Sequence, residues 1–236
     1  MNLILLFDDD FIKAGNSVRL KDHRLRHVID VHQASEGDEL TVGLLNGKMG
    51  VGHLTFLSPE AMEMDVTLNV EPPPSLPLTL IMALPRPKVL KRVLRTISAM
   101  GVKRLFLINS WRVEKSYWQS PALEEEKIRE QLVLGLEQAK DTVLPEVMLR
   151  RLFKAFVEDE LPGLIKDSMS LVAHPIADAL CPRDVRQPVT LAIGPEGGFI
   201  PYEIEKLEAC GFKTVNLGER ILTVETAVPV LLARLF

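Results

Sequence analysis

Two short segments of the chain concentrate residue types that can hold a ligand. Gly194-Pro195-Glu196-Gly197-Gly198 directly follows the apolar run Val189 to Ile193. Leu217-Gly218-Glu219-Arg220-Ile221-Leu222 leads into Thr223-Val224-Glu225-Thr226-Ala227. Glycines at the carboxyl end of a strand let a ligand approach the backbone closely, and open α/β sheets bind ligands there. The first segment is not a phosphate loop, because it has neither a Lys-Ser/Thr pair nor G-x-G-x-x-G spacing. Taken singly, it reads equally well as a tight strand-to-helix turn. The second, taken singly, reads as capping of a last helix by Thr223 or Thr226, with Glu225 near the positive end of its dipole. Two such loops at successive strand ends favour a ligand site over two coincidental turns.

Cationic side chains fall in two clusters, Arg19, Lys21, His23, Arg24, Arg26 and His27, then Arg86, Lys88, Lys91, Arg92 and Arg95. Each alone is compatible with a solvated face. The formal net charge of the 236-residue chain is -4, so any nucleic-acid footprint must be a local patch. The five histidines form no ligand set, and no metal is expected. Cys181 and Cys210 fit no zinc spacing and are too few for a disulfide framework, which suits reduced thiols of a cytoplasmic protein. Leu3 to Phe7 is apolar but short, lacks a positive segment before it, and runs into Asp8, Asp9 and Asp10; it reads as a buried strand rather than a signal peptide. No apolar stretch is long enough to span a bilayer.

The elements that must position these residues change character at Pro72-Pro73-Pro74, which favours an extended connector. Before it, short alternating runs such as Glu39 to Gly43 and Met62 to Val70, separated by turn signals, predict a small β-barrel or sandwich. Asp22 to Val31 is the exception, with Leu25, Val28 and Ile29 at helical spacing. After it, strands alternate with helices. Leu78 to Leu84 reads as a strand covered on both faces. Val89, Leu90, Val93, Leu94, Ile97 and Met100 form a helical stripe closed by Gly101. Strands are expected at Arg104 to Ile108, Glu146 to Leu149, Ser170 to Ala173, Val189 to Ile193 and Thr214 to Leu217. Helices are expected from Ser120-Pro121 to about Lys140, from Pro201 to Gly211, and from Val224 to Leu235. The pattern is an α/β domain with a mainly parallel sheet.

Leu191 to Gly198 and Leu217 to Ala227 resemble the signature loops of the bacterial small-subunit (16S) rRNA uracil-N(3) methyltransferases, of the SPOUT class. The resemblance covers essentially the whole chain. His174-Pro175, Leu84-Pro85-Arg86 with Lys88, Glu137-Gln138, Pro145-Glu146, His27-Val28-Ile29 and Gly37-Asp38 are similar to further family motifs.

The resemblance implies an N-terminal PUA-like RNA-binding β-barrel over 1–72 and a SPOUT methyltransferase domain over 75–236 with a C-terminal trefoil knot. It implies a homodimer, which the apolar segment Val228 to Phe236 also suggests. It implies S-adenosylmethionine held by His174, Ile193, Gly194, Pro195, Glu196, Gly197, Gly198, Leu217, Gly218, Arg220, Ile221, Leu222, Thr226 and Ala227. Methyl transfer to N(3) of a uridine in 16S rRNA would follow, with Arg86 and Arg220 stabilising the uracil anion and Glu225 either as base or in helix capping. Arg24, Arg26, Lys88, Arg92 and Lys140 would contact RNA. A non-catalytic RNA-binding or ribosome assembly factor that keeps the fold is the alternative. A dehydrogenase-like enzyme is disfavoured, since no glycine-rich fingerprint follows the first strand of the α/β domain. Thr223, Asp141 and Asp30 stand where the family commonly has arginine, so weaker or redirected RNA recognition is expected, with Lys140 and the cluster Lys88 to Arg95 compensating.

Overall fold

The computed structural model describes residues 2–12 and 15–236. The chain divides into two compact units, Met1–Pro74 with Val133–Leu144, and Ser75–Leu132 with Pro145–Phe236. The first passage between them falls at the proline run. The others lie inside the helix Glu125–Ala139 and at Leu144/Pro145, a stretch that the sequence pattern alone would keep within the α/β domain.

The first unit is built on a five-stranded sheet of β1 (Ile4–Leu6), β2 (Ser17–Leu20), β3 (Glu39–Leu44), β4 (Met49–Leu57) and β5 (Met62–Val70). Its order is β1-β3-β4-β5-β2. β1 runs parallel to β3, and the other pairings are antiparallel. The edge strands β1 and β2 do not pair with each other, so the expected barrel is an open half-barrel. Alternation explains the inner face: Met62, Met64 and Val66 of β5 are buried with Val18 and Leu20 of β2 and Val42 of β3. Leu25 and Val28 close this core from α1 (His23–His27) and the π-helical turn Val28–His32 that continues it. On β1 the opposite face is buried too, where Leu3 and Leu5 meet Leu136.

The second unit holds a six-stranded sheet of β6 (Leu78–Ala83), β7 (Arg104–Ile108), β8 (Glu146–Arg150), β9 (Met169–Ala173), β10 (Val189–Ile193) and β11 (Lys213–Val215). The order is β11-β9-β10-β6-β7-β8, with every pairing parallel. β6 and β10 are buried along their whole length, as their unbroken apolar runs require of strands covered on both faces. α2 (Pro87–Ala99) starts on a proline at its first turn and buries Leu90, Val93, Leu94 and Ile97. It ends before Gly101, whose φ of 79° suits a residue without Cβ. α3 (Glu125–Ala139) begins later than Ser120-Pro121 suggests: Ser120 caps a separate 3-10 turn, Pro121–Leu123. Two helical pieces not marked by the sequence pattern, α4 (Phe153–Ala155) and α5 (Leu161–Leu164), are joined by a π-helical turn. α6 (Pro201–Ala209) and α7 (Val224–Leu235) complete the unit. No helix among the described residues is long and apolar enough to cross a membrane.

Candidate functional site

Three adjacent strands end level. Ala173 of β9 pairs with Ile193 of β10 on one side and Val215 of β11 on the other. His174, Gly194 and Asn216 therefore start three loops side by side at the carboxyl edge, and the His174 amide donates to the Val215 carbonyl at 2.9 Å. This places the loops after β10 and β11 on either side of the loop after β9, at one opening.

The loop after β10 turns back at once. Gly198 donates its amide to the Pro195 carbonyl at 2.7 Å and sits at φ +73°. A Cβ on Gly194 would lie 2.9 Å from the Phe199 amide nitrogen, a clash with backbone that nothing flexible can relieve. The loop after β11 is organised by Asn216. Its Oδ1 accepts from the Gly218 amide at 2.8 Å, its Nδ2 donates to the Ala177 carbonyl, and Gly218 takes φ +110°. This is an Asx turn, legible in the sequence as Asn-x-Gly but not singled out from it.

The three loops and the first turns of α7 bound an open cleft. Ile193, Val215, Val224 and Leu231 give it apolar walls, while His174, Glu196 and Arg220 stand among its polar lining. Of the residues expected to hold a cofactor, all line this cleft except Gly197 and Thr226. Gly197 instead presents its carbonyl to the Arg112 guanidinium. The Thr226 hydroxyl lies 3.0 Å from that of Thr223. Thr223 occupies the N-cap of α7 without a side-chain cap bond, so neither threonine caps the helix as expected. Ala173, Pro175, Val215, Asn216, Val224 and Leu231 also line the cleft; of these, Pro175 and Val224 lie in motifs that the sequence marked, and the others read only as strand, turn and helix positions.

β6 lies next to β10, so the loop after β6 meets the same edge. Arg86 there donates its amide to Glu196 Oε1 at 3.2 Å, with its guanidinium Nε 3.4 Å from the same oxygen. Arg92 of α2 donates Nε to Glu225 Oε2 of α7 at 2.7 Å. Lys88 is exposed on the first turn of α2, and Arg220 is exposed on the rim of the cleft.

In the first unit, Arg26 and Lys140 are exposed. Arg24 corrects the expectation of an RNA-facing residue: it is 3% exposed. Its guanidinium donates to the Leu5 carbonyl at 2.6 Å and to both carboxylate oxygens of Asp10 and of Asp22. All its donors are directed inward, and none is left for phosphate. Burial opposes its charge, but the bonds to Asp10 and Asp22 outweigh that and hold its proton more tightly than usual. Asp141 is likewise buried, its carboxylate accepting from the Val143 amide at 2.9 Å, so it does not stand at an RNA face. Asp30 and Thr223 are exposed.

Residues 72–236 match the model of the RNA methyltransferase domain family. Along nearly its whole length the chain is similar to ribosomal RNA small subunit methyltransferase E of Treponema pallidum, with 28% identity over 96% of this chain and 87% of that protein. The methyltransferase E of a Synechocystis species is 27% identical over 93% of this chain and 72% of its own length. The crystal structure of the Neisseria gonorrhoeae methyltransferase E bound to S-adenosyl methionine superposes with a TM-score of 0.72 at 25% identity, covering 99% of this chain and 95% of that one. With a cleft at the carboxyl ends of parallel strands and a family match over most of its length, the chain belongs to the RNA methyltransferase domain family and is a methyltransferase E-like member of it.

Proposed function

We propose that this protein transfers a methyl group from S-adenosylmethionine to N(3) of a uridine in 16S rRNA of the small ribosomal subunit. The observation that carries the reading is the level ending of β9, β10 and β11, which draws both glycine loops around one cleft. The names of the relatives support the ribosomal RNA target, and the cofactor in the Neisseria structure supports the methyl donor.

The cleft fits such a donor. Its apolar walls suit an adenine ring, and its glycines leave backbone groups open to close approach. When bound, S-adenosylmethionine supplies an electrophilic methyl group on a sulfonium sulfur. The chain's own residues then bind and orient. Arg220 on the rim and Arg86 beside Glu196 stabilise the negative charge that develops on uracil as its N(3) proton passes to solvent water. His174 accepts the Ile176 amide on Nδ1 at 3.3 Å, which directs its other nitrogen away from that bond. Glu225 is engaged by Arg92, which favours a positioning role over that of a base.

The open half-barrel of the first unit is read as the PUA-like RNA-binding module, with Arg26 and Lys140 exposed on it. A C-terminal trefoil knot belongs to the reading through the resemblance of both glycine loops to those of the family. A homodimer belongs to the reading through the family resemblance alone, because Val228, Leu231, Leu232 and Leu235 of the apolar C-terminal segment are already buried within the unit. Action on ribosomal RNA would place the protein in the cytoplasm. The test is transfer of labelled methyl from S-adenosylmethionine to purified small subunits and to naked 16S rRNA, with the product nucleosides separated. Label in 3-methyluridine supports the reading; cofactor binding without transfer to either substrate would instead indicate an assembly factor.

A further inference from the structure

The sheet ends in a second hollow. β7 and β8 also finish level, Ile108 opposite Arg150, and the Asn109 amide donates to the Arg150 carbonyl at 2.9 Å. The loops that follow line an open hollow shared by the two tryptophans of the chain, Trp111 and Trp118. Three features distinguish it from an idle surface depression. Trp111 is 79% exposed, yet its backbone is fixed: its amide donates at 2.8 Å to Glu203 Oε1, a buried carboxylate whose other oxygen accepts from Ile200. The neighbouring Arg112 is tied to the Gly197 carbonyl. The indole is thus presented to solvent from an anchored mount, where burial inside the unit would have been the favourable alternative.

The second feature is Ser110, which is 3% exposed, lines the hollow, and has a hydroxyl with no hydrogen-bond partner. An unmet buried hydroxyl costs stability and leaves a hydrogen bond that a bound polar group can fill. The third is charge. Arg151 lies over the Trp118 ring at 5.5 Å, and Lys115 lines the same space. Trp118 is held in place by its Nε1 bond to Asn109 Oδ1 at 2.8 Å.

A flat aromatic face, a polar edge group and two cations are the elements that recognise an unpaired nucleobase and its phosphate. We propose that this hollow is a nucleobase subsite for single-stranded RNA, with Trp111 as its stacking face and Ser110, once its hydroxyl turns outward, as a hydrogen-bonding group at the base edge. The inference rests on the RNA methyltransferase reading above. β7 is two strands from β10 in the sheet, a separation of roughly 10 Å. The subsite would hold a base a short way along the strand from the nucleotide at the cofactor cleft.

The test compares the parent with Trp111→Ala, Trp111→Phe and Ser110→Ala. The probe is a labelled single-stranded oligouridylate, with an RNA duplex as control. Trp111→Ala should weaken single-strand binding by about tenfold, the scale of one base–aromatic stack, and leave duplex binding and cofactor affinity unchanged. In methyl transfer it should raise KM for RNA and spare kcat, and Trp111→Phe should restore most of the loss. Ser110→Ala should raise thermal stability and still weaken RNA binding, a combination that a purely structural role would not give. Unchanged single-strand affinity and KM in Trp111→Ala would overturn the proposal. So would a change in sedimentation coefficient without one in RNA affinity, which would assign Trp111 to a protein interface. A parent that binds the oligonucleotide through Trp111 but transfers no methyl group would overturn the enzyme reading and leave the subsite standing.

Discussion

Arg92 Nε lies 2.7 Å from Glu225 Oε2, so the middle of α2 is tied to the first turn of α7. Both side chains are partly exposed, at 51% and 34%. The sequence offered one as an RNA contact and the other as a base; the fold spends them on each other. Removing a general base costs about 10²–10⁴-fold in rate. Glu225→Gln is expected to lose far less than that in kcat, and less than about 1 kcal/mol of stability, because the pair is screened by solvent. Single-turnover methyl transfer and urea melts of the variant check both figures.

The two glycine positions in the loop after β10 should respond differently. At Gly194 a Cβ meets backbone at 2.9 Å, whereas at Gly197 it meets the Arg112 side chain at 2.9 Å, which can swing away. Gly194→Ala should weaken S-adenosylmethionine binding by about tenfold or more, equivalent to about 1.4 kcal/mol. Gly197→Ala should stay near the parent value. Calorimetric titration of the two purified variants decides the point, and equal losses would show that the loop is not held as described.

Arg24 joins β1, the 3-10 turn at Asp8–Asp10 and α1 through Leu5, Asp10 and Asp22. Truncating it leaves two carboxylates without their partner, one of them mostly buried. Arg24→Ala should therefore destabilise the first unit by about 3–5 kcal/mol. Arg26→Ala, on the exposed side of the same helix, should leave denaturation unchanged and reduce RNA affinity with a shallower salt dependence.

Burial pushes the Glu137 carboxyl up to about 7, against the pull of the Arg24 charge and a bond from the Leu5 backbone. The folded state thus holds this proton at pH values where the unfolded chain has released it. The stabilisation is complete below about pH 4.5 and is lost as pH rises through about 7, by up to about 3 kcal/mol. Glu137→Gln should remove that slope and be more stable than the parent at pH 8. Thermal melts of both proteins between pH 5 and 8 measure the difference.

The strands and the long helices were legible because their signals are local. Met62 to Val70 alternates, Leu78 to Ala83 is unbroken and apolar, and the helical stripe from Leu90 to Ile97 carries its own proline and glycine punctuation. The glycine loops were legible for the same reason. What escaped was set by partners distant in sequence. Nothing around Arg24 announces that Asp10 will fold over it, and nothing around Glu203 announces that it will fix Trp111 across 92 positions. The helix start at Glu125 was misjudged because Ser120-Pro121 is a sound cap signal that the chain uses on a short 3-10 turn instead.

The most direct test of the central claim is mass-spectrometric mapping of 16S rRNA from cells with and without this protein. One 3-methyluridine is expected to disappear without the protein and to return with the parent gene. An unchanged 16S rRNA modification map, or loss of a methyl group at a different base atom, would contradict it.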